Sequence, residues 1–150
     1  MAYFDAAYLV KCYVKEEGWQ KVRALAAERG RIASSVIGRL ELHAALHRKL
    51  REGGLSAESH QLVLRQLSFD EATGVWHWIS LSPAVARAVV DLFRQLPSDV
   101  YLRTGDAVHL VSAKEQGFAE IFSSDRRLLE AADHVGMAGR DVTRAAPPEW

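Results

Sequence analysis

The chain has 150 residues, 49% of them hydrophobic and 25% charged, with 19 basic and 19 acidic side chains that cancel to a formal net charge of zero. That length suits one domain with a proper core, and the composition is that of a folding chain rather than a disordered one. The charge balance excludes a broadly basic nucleic-acid coat, so nucleic-acid binding would have to rest on a local patch.

In chain order, Tyr3-Phe4 is a short strand candidate that ends at Asp5. From Ala6 to Val14 the pattern turns helical, with Leu9, Val10 and Tyr13 available for one face. Cys12 is the single cysteine; it reads as a packing residue, can close no internal disulfide and suits a reducing compartment. Gly18 breaks that helix, and Trp19 to Glu28 forms a second one stopped by Gly30. Arg31 to Ser34 is the next strand. Ser34 or Ser35 can cap a long helix from Val36 to Glu52, which Gly53-Gly54 ends. Another helix starts at Ser56, carries Leu62, Val63, Leu67 and Phe69, and fades near Thr73-Gly74. Val75-Trp76-His77-Trp78-Ile79 is the clearest strand, rich in β-branched and aromatic residues. It is expected at the centre of a sheet, with both indoles in the core. Ser82-Pro83 opens a helix in cap-then-proline order, with Arg87, Asp91 and Arg94 on a wet face opposite Val89, Val90 and Phe93.

After Pro97 a helix runs to about Gln116 and ends at Gly117, with Thr104 and Gly105 as cap candidates. It is almost devoid of polar residues and so belongs inside the protein, yet Asp106 sits in its first turn. A lone ionised carboxylate is costly to bury unless it is paired or binds a metal. Glu120 to Ser123 is a fourth strand, Asp125 to Asp133 a further helix, and a last short strand falls near Met137 to Val142. One domain over 1–150 is expected, with 144–150 as a candidate flexible tail. No run approaches the ~18 apolar residues of a membrane span. Asp5 interrupts the apolar stretch from Ala2 to Val10, which argues against a signal peptide. A cytoplasmic protein without a membrane partner is expected.

Strands alternating with helices predict an α/β fold whose parallel sheet is covered on both faces. Such sheets bind ligands outside the carboxyl ends of their strands, where the returning helices also begin. Asp5, Glu41, Asp106 and Asp125 all fall on that edge. Ile37 and Ala45 lie within about 40° of Glu41 around its helix, and Leu110 and Ala113 within about 40° of Asp106. Glu41 therefore points along the apolar face, into the molecule, and Asp106 borders its own buried face, so both read as internal acids. Each acid has a local alternative: Asp125 as a helix cap, Asp5 as a turn residue, Glu41 as a partner of Arg48 or Arg39, and Asp106 as a first-turn charge favoured by the helix dipole. Four like charges at one edge nevertheless need a cation, and hard oxygen ligands suit Mg²⁺ or Mn²⁺ better than Zn²⁺.

These residues also carry a family resemblance. Tyr3-Phe4-Asp5 with Leu9 to Glu16, Ser34-Ser35 through Glu41 to Leu46, Leu102 to Ala113, and Phe122-Ser123-Ser124-Asp125 to Leu128 together resemble a PIN domain of the kind found in VapC-type ribonuclease toxins. The resemblance implies a three-layer α/β/α fold around a central parallel sheet of four to five short strands. It implies that Asp5, Glu41, Asp106 and Asp125 are the catalytic, metal-binding acids, and that the Ser123 hydroxyl supports the last of them. It further implies a Mg²⁺-dependent endoribonuclease, with Mn²⁺ as a substitute, acting as the toxin of a type II toxin–antitoxin pair. Such a protein would form a homodimer, cleave RNA and be silenced by a small antitoxin whose tail enters the acidic groove. One departure stands out: family members commonly carry Ser or Thr just after the first Asp, where this chain has Ala6 and Ala7, and that hydroxyl would orient a ligand or water.

In such a mechanism the metal activates water and stabilises the leaving oxygen, with Glu41 or Asp106 as the group that orients or deprotonates the water and with one or two ions acting. Arg103, Arg126 and Arg127 flank the acids as candidate phosphate contacts. His43 and His47 have the spacing of a zinc pair but lack the HExxH glutamate and face away from Glu41. His109, three residues after Asp106, is expected to be structural or a hydrogen-bond partner. Two other readings are a non-catalytic PIN-like interaction module and a housekeeping PIN-type nuclease. A haloacid-dehalogenase-type phosphotransferase would need an acid two residues after Asp5, where Ala7 stands.

Overall fold

A computed structural model describes residues 1–144; the expectation of a flexible tail falls, from residue 145 onward, outside the described residues. The elements run β1 (Ala2–Tyr3), α1 (Ala6–Tyr13), α2 (Trp19–Arg29), β2 (Ile32–Ser35), α3 (Val36–Arg51), α4 (Ala57–Ala72), β3 (Trp76–Ile79), α5 (Pro83–Gln95), α6 (Thr104–Glu115), β4 (Glu120–Phe122), α7 (Arg126–Ala132), a 3₁₀ turn (Asp133–Val135) and β5 (Ala138–Arg140). Strands β1, β2 and β3 pair in that order and β4 pairs with β5, every pairing parallel. A parallel bridge between Phe4 and Phe122 joins the two groups into one surface.

Alternation along the strands divides the interior. Ala2, Phe4, Ile32, Trp76 and Phe122 pack with α1 to α4, whereas Tyr3, Ala33, Ile79 and Ile121 pack with α6 and α7. Successive strand side chains point to opposite faces, so the expected α/β/α layering follows directly.

Two expectations need correction. Among the described residues the Trp76–Ile79 strand pairs only with β2 and is an edge of its group, not its centre. Its indoles stack with centroids 5.7 Å apart, and each N–H finds an acceptor, Trp76 on Tyr13 Oη and Trp78 on Glu71 Oε1. On α5, Val85 and Val89 are buried, while Val90 and Phe93 are exposed. That helix packs chiefly on α6, and a helix with one main neighbour buries one stripe of positions spaced i, i+4, i+7.

Helix α6 is buried continuously from Asp106 to Ala113. Leu110 and Ala113 meet the sheet, while Ala107, Val108 and Val111 meet α5. A helix enclosed on both sides needs an apolar surface all round, which accounts for its composition. It begins one residue earlier than the cap candidates allowed: Arg103 occupies the N-cap position and makes no side-chain cap.

Gly38 on α3 sets how closely that helix approaches its neighbours. A Cβ there would stand 2.5 Å from Ser34 Oγ, 2.9 Å from His109 Cε1 and 3.1 Å from Leu9 Cδ1. Alanine would gain about 1 kcal/mol in helix propensity, but overpacking a core costs about 1–3 kcal/mol. Gly38→Ala is therefore expected to lower stability by about 1 kcal/mol in urea unfolding; an increase would show that α3 is not held this close.

Candidate functional site

The carboxyl ends of β1, β2 and β4 open on the same edge, and the acids arrive there by local rules. Asp5 follows β1 and N-caps α1: its Oδ1 accepts the Tyr8 N–H at 3.1 Å. Asp125 follows β4 and N-caps α7, its Oδ1 accepting Arg127 N–H at 2.9 Å and Leu128 N–H at 3.4 Å. In each case one oxygen satisfies a helix start and the other is left for side-chain chemistry. The cap role and the site role thus coincide in both residues.

The second oxygens are tied together. Ser123 Oγ–H donates to Asp5 Oδ2, while Ser123 Oγ accepts the Asp125 N–H at 2.8 Å. This hydroxyl therefore supports the first acid as well as the last. Asp125 Oδ2 receives Arg103 at 3.0 Å, and the same guanidinium donates to Asp106 Oδ2 at 3.1 Å. Glu41 Oε2 meets His109 Nε2 at 2.8 Å, and its Oε1 lies where a Cβ on Gly105 would project. Hydrogen bonds run from Asp106 through Arg103 to the Asp125 carboxylate, and from the Asp125 main chain through Ser123 to Asp5, while Glu41 lies alongside at Gly105.

Asp106 thereby gains a partner next to it in the chain, Arg103. That side chain is 62% exposed, and exposed pairs contribute only about 0–1 kcal/mol. The guanidinium is a replaceable counter-ion. With it in place, no three His, Cys, Asp or Glu side chains among the described residues gather closely enough to hold a metal ion. The donor chemistry is of the kind a hard divalent cation takes: the four side chains carry carboxylate oxygens, and a positive charge already sits between two of them.

Asp5 is 4% exposed, and burial pushes its carboxyl up to about 6. A positive charge on His109 when its ring is protonated, and the bonds from Ser123 and Tyr8, oppose that rise, while the Asp106 charge adds to it. Burial likewise pushes the Tyr3 phenol above its usual range.

The remaining candidates have separate places. Arg126 pairs with Glu130 at 2.8 Å, and the Arg127 guanidinium lies 3.9 Å from the centre of the Tyr101 ring. His43 and His47 are exposed, and Arg39 pairs with Glu71 instead of Glu41. Ala6 and Ala7 line a groove of about 450 Å³ between α1 and α3, which has Glu41 and Arg48 on its wall. Small side chains after Asp5 therefore open space beside Glu41. Tyr3 and His109 were not singled out as site residues by sequence; the one available signal was an imidazole three positions after Asp106 on a buried helix.

A sequence profile described as "PIN domain" matches residues 2–134. No curated protein matches the chain. Among solved structures, VapBC2 from Rickettsia felis bound to a DNA fragment from its promoter contains a chain with TM-score 0.65 and 15% identity, covering 94% of this chain and 98% of its own. A toxin–antitoxin complex from Klebsiella pneumoniae contains one with TM-score 0.57 and 20% identity, covering 83% and 87% respectively.

The Asp5 carboxyl gives this site a pH signature. A carboxyl whose folded pKa exceeds its unfolded value of 3.8 binds a proton on folding. Its stabilising effect is complete below the unfolded pKa and is lost as pH rises through about 6. Asn cannot ionise, so in EDTA Asp5→Asn should gain stability relative to wild type between about pH 4 and pH 7, by an amount on the order of 3 kcal/mol. Urea titrations across that range check it; a constant difference would contradict the buried charge.

Proposed function

The chain belongs to the PIN domain family, and on that premise we propose that it is a Mg²⁺-dependent endoribonuclease, the toxin of a type II toxin–antitoxin pair. The observation that carries this reading is the convergence of Asp5, Glu41, Asp106 and Asp125 from four separate segments on the sheet's ligand edge. A protein under no functional demand gains nothing by gathering repelling charges there.

In this reading the four acids would hold the ion, with Mn²⁺ as a substitute, and Ser123 fixes the Asp5 carboxylate and the main chain at Asp125. When bound, the ion supplies Lewis acidity at the scissile phosphate and lowers the pKa of the attacking water. The Glu41 or Asp106 carboxylate orients that water and accepts its proton. Arg103 leaves the Asp106–Asp125 pair and faces the phosphate, while exposed Arg126 and Arg127 contact the strand beyond it. The groove beside Ala6, Ala7 and Glu41 leaves room for part of the substrate next to Glu41.

Two of the similar solved structures, VapBC2 and a toxin–antitoxin complex, support a small antitoxin as partner, its tail entering the acidic edge of a homodimer. No helix among the described residues is long and apolar enough to cross a membrane, and a cytoplasmic toxin remains the reading.

The decisive experiment measures cleavage of single-stranded and structured RNA with Mg²⁺, with EDTA and with Asp106→Asn. Activity should require Mg²⁺ and fall by at least a hundredfold in the variant. Cleavage in EDTA, or an unaffected variant, rejects the mechanism; no cleavage of any RNA favours a non-catalytic interaction module. Mg²⁺ at about a hundred times its dissociation constant should also add about 2.7 kcal/mol, raising Tm by about 5–10 °C. A flat Tm over a wide Mg²⁺ range rejects the shared site.

A further inference from the structure

Behind the acids lies a second row of polar groups, internal as far as its last member, the part-exposed Glu41. The Ser35 main-chain N–H donates to Tyr3 Oη at 3.0 Å, Tyr3 Oη meets His109 Nδ1 at 2.9 Å, and His109 Nε2 meets Glu41 Oε2 at 2.8 Å. Tyr3 is 0% and His109 1% exposed, so no bulk water competes for these groups.

Donor and acceptor rules give the row a direction. Tyr3 Oη already accepts from Ser35, so its own proton must find an acceptor. Ser34 Oγ lies beside the phenol but outside good hydrogen-bond geometry, so His109 Nδ1 is the better-placed acceptor. A neutral imidazole that accepts at Nδ1 carries its proton on Nε2. That proton points at Glu41. The phenol therefore selects the tautomer, and the tautomer supplies a donor to the carboxylate.

The other carboxylate oxygen is placed by a different device. A Cβ on Gly105 would come within 2.5 Å of Glu41 Oε1. The first turn of α6 thus leaves a recess one residue before Asp106, and Glu41 occupies it. A glutamate on α3 has three side-chain torsions to settle; one oxygen is caught by His109 and the other is seated against Gly105.

We propose that Tyr3 and His109 are positioning residues that hold Glu41 aimed at the acid edge, with Gly105 keeping the place open for it. The proposal rests on the metal-dependent reading above, because a pre-aimed Glu41 matters to a ligand that several carboxylates must bind together. Fixing a ligand's orientation through its outer partners commonly changes metal affinity by tenfold to a hundredfold.

The test combines two readouts on the full-length protein. Without metal, ¹⁵N shifts of the His109 imidazole should show Nε2 protonated and Nδ1 bare in wild type, and that preference should weaken in Tyr3→Phe. The second readout is Mn²⁺ binding, by the loss of its free-ion EPR signal. His109→Ala should weaken binding by tenfold to a hundredfold. His109→Gln should restore most of it, since its amide N–H₂ reaches toward the same carboxylate oxygen. Gly105→Ala separates positioning from folding: alanine is the better helix former, so metal-free Tm should hold or rise while Mn²⁺ binding weakens.

An Nδ1-protonated His109 in wild type overturns the relay. So does a wild type that binds Mn²⁺ with variants that bind it equally well, or a His109→Gln no better than His109→Ala. A wild type that neither binds Mn²⁺ nor cleaves RNA overturns the nuclease reading itself, and the relay with it. The two failures are therefore distinct.

Discussion

The structure turns on how carboxylates are kept together at a partly buried edge. Burial and mutual repulsion both disfavour their charges, and the fold answers with several fixed donors. Helix starts supply N–H groups to Asp5 and Asp125. Ser123 joins those two acids, Arg103 joins Asp106 to Asp125, and His109 takes Glu41. Asp5, the most enclosed of these acids, still carries the mark of its surroundings in a raised pKa.

These donors differ in permanence. Ser123, Tyr3 and His109 are buried and backed by the sheet, so they move only with the core. Arg103 is mostly exposed on a flexible stem and contributes little by holding two anions. An edge built from fixed donors and one loose cation is suited to exchanging that cation for another positive group. Any cation bound there meets the same requirement, which is positive charge near Asp106 and Asp125.

Helix α6 connects the core to this edge. Its middle is packed on both sides, against the sheet and against α5, and that enclosure fixes the register of its first turn. Asp106, Gly105 and His109 consequently reach the edge with little freedom. Gly38 performs the matching role on α3, where its missing side chain lets the Glu41 helix approach His109. The site's geometry is thus set by close packing behind it as much as by the acids on display.

Much of the architecture was legible in the sequence. Alternation of short apolar strands with capped helices gave the α/β class, and the ligand-edge rule put Asp5, Glu41, Asp106 and Asp125 in one region, because strand ends and helix starts are local features with local signatures. The family resemblance rested on those same segments. The sheet's order was not legible: Val75–Ile79 read as central because hydrophobicity reports burial, and burial here comes from α4 and stacked indoles as well as from neighbouring strands. Nor was the exposure of Val90 and Phe93, since a helical pattern does not say how many neighbours a helix will have. Which donor each acid would take was decided only in three dimensions. Arg103 rather than a distant cation meets Asp106, and His109 rather than Arg39 or Arg48 meets Glu41. Hydrogen-bond partners across 68 and 106 residues depend on side-chain direction and packing distance, and neither is written in the local order of residues.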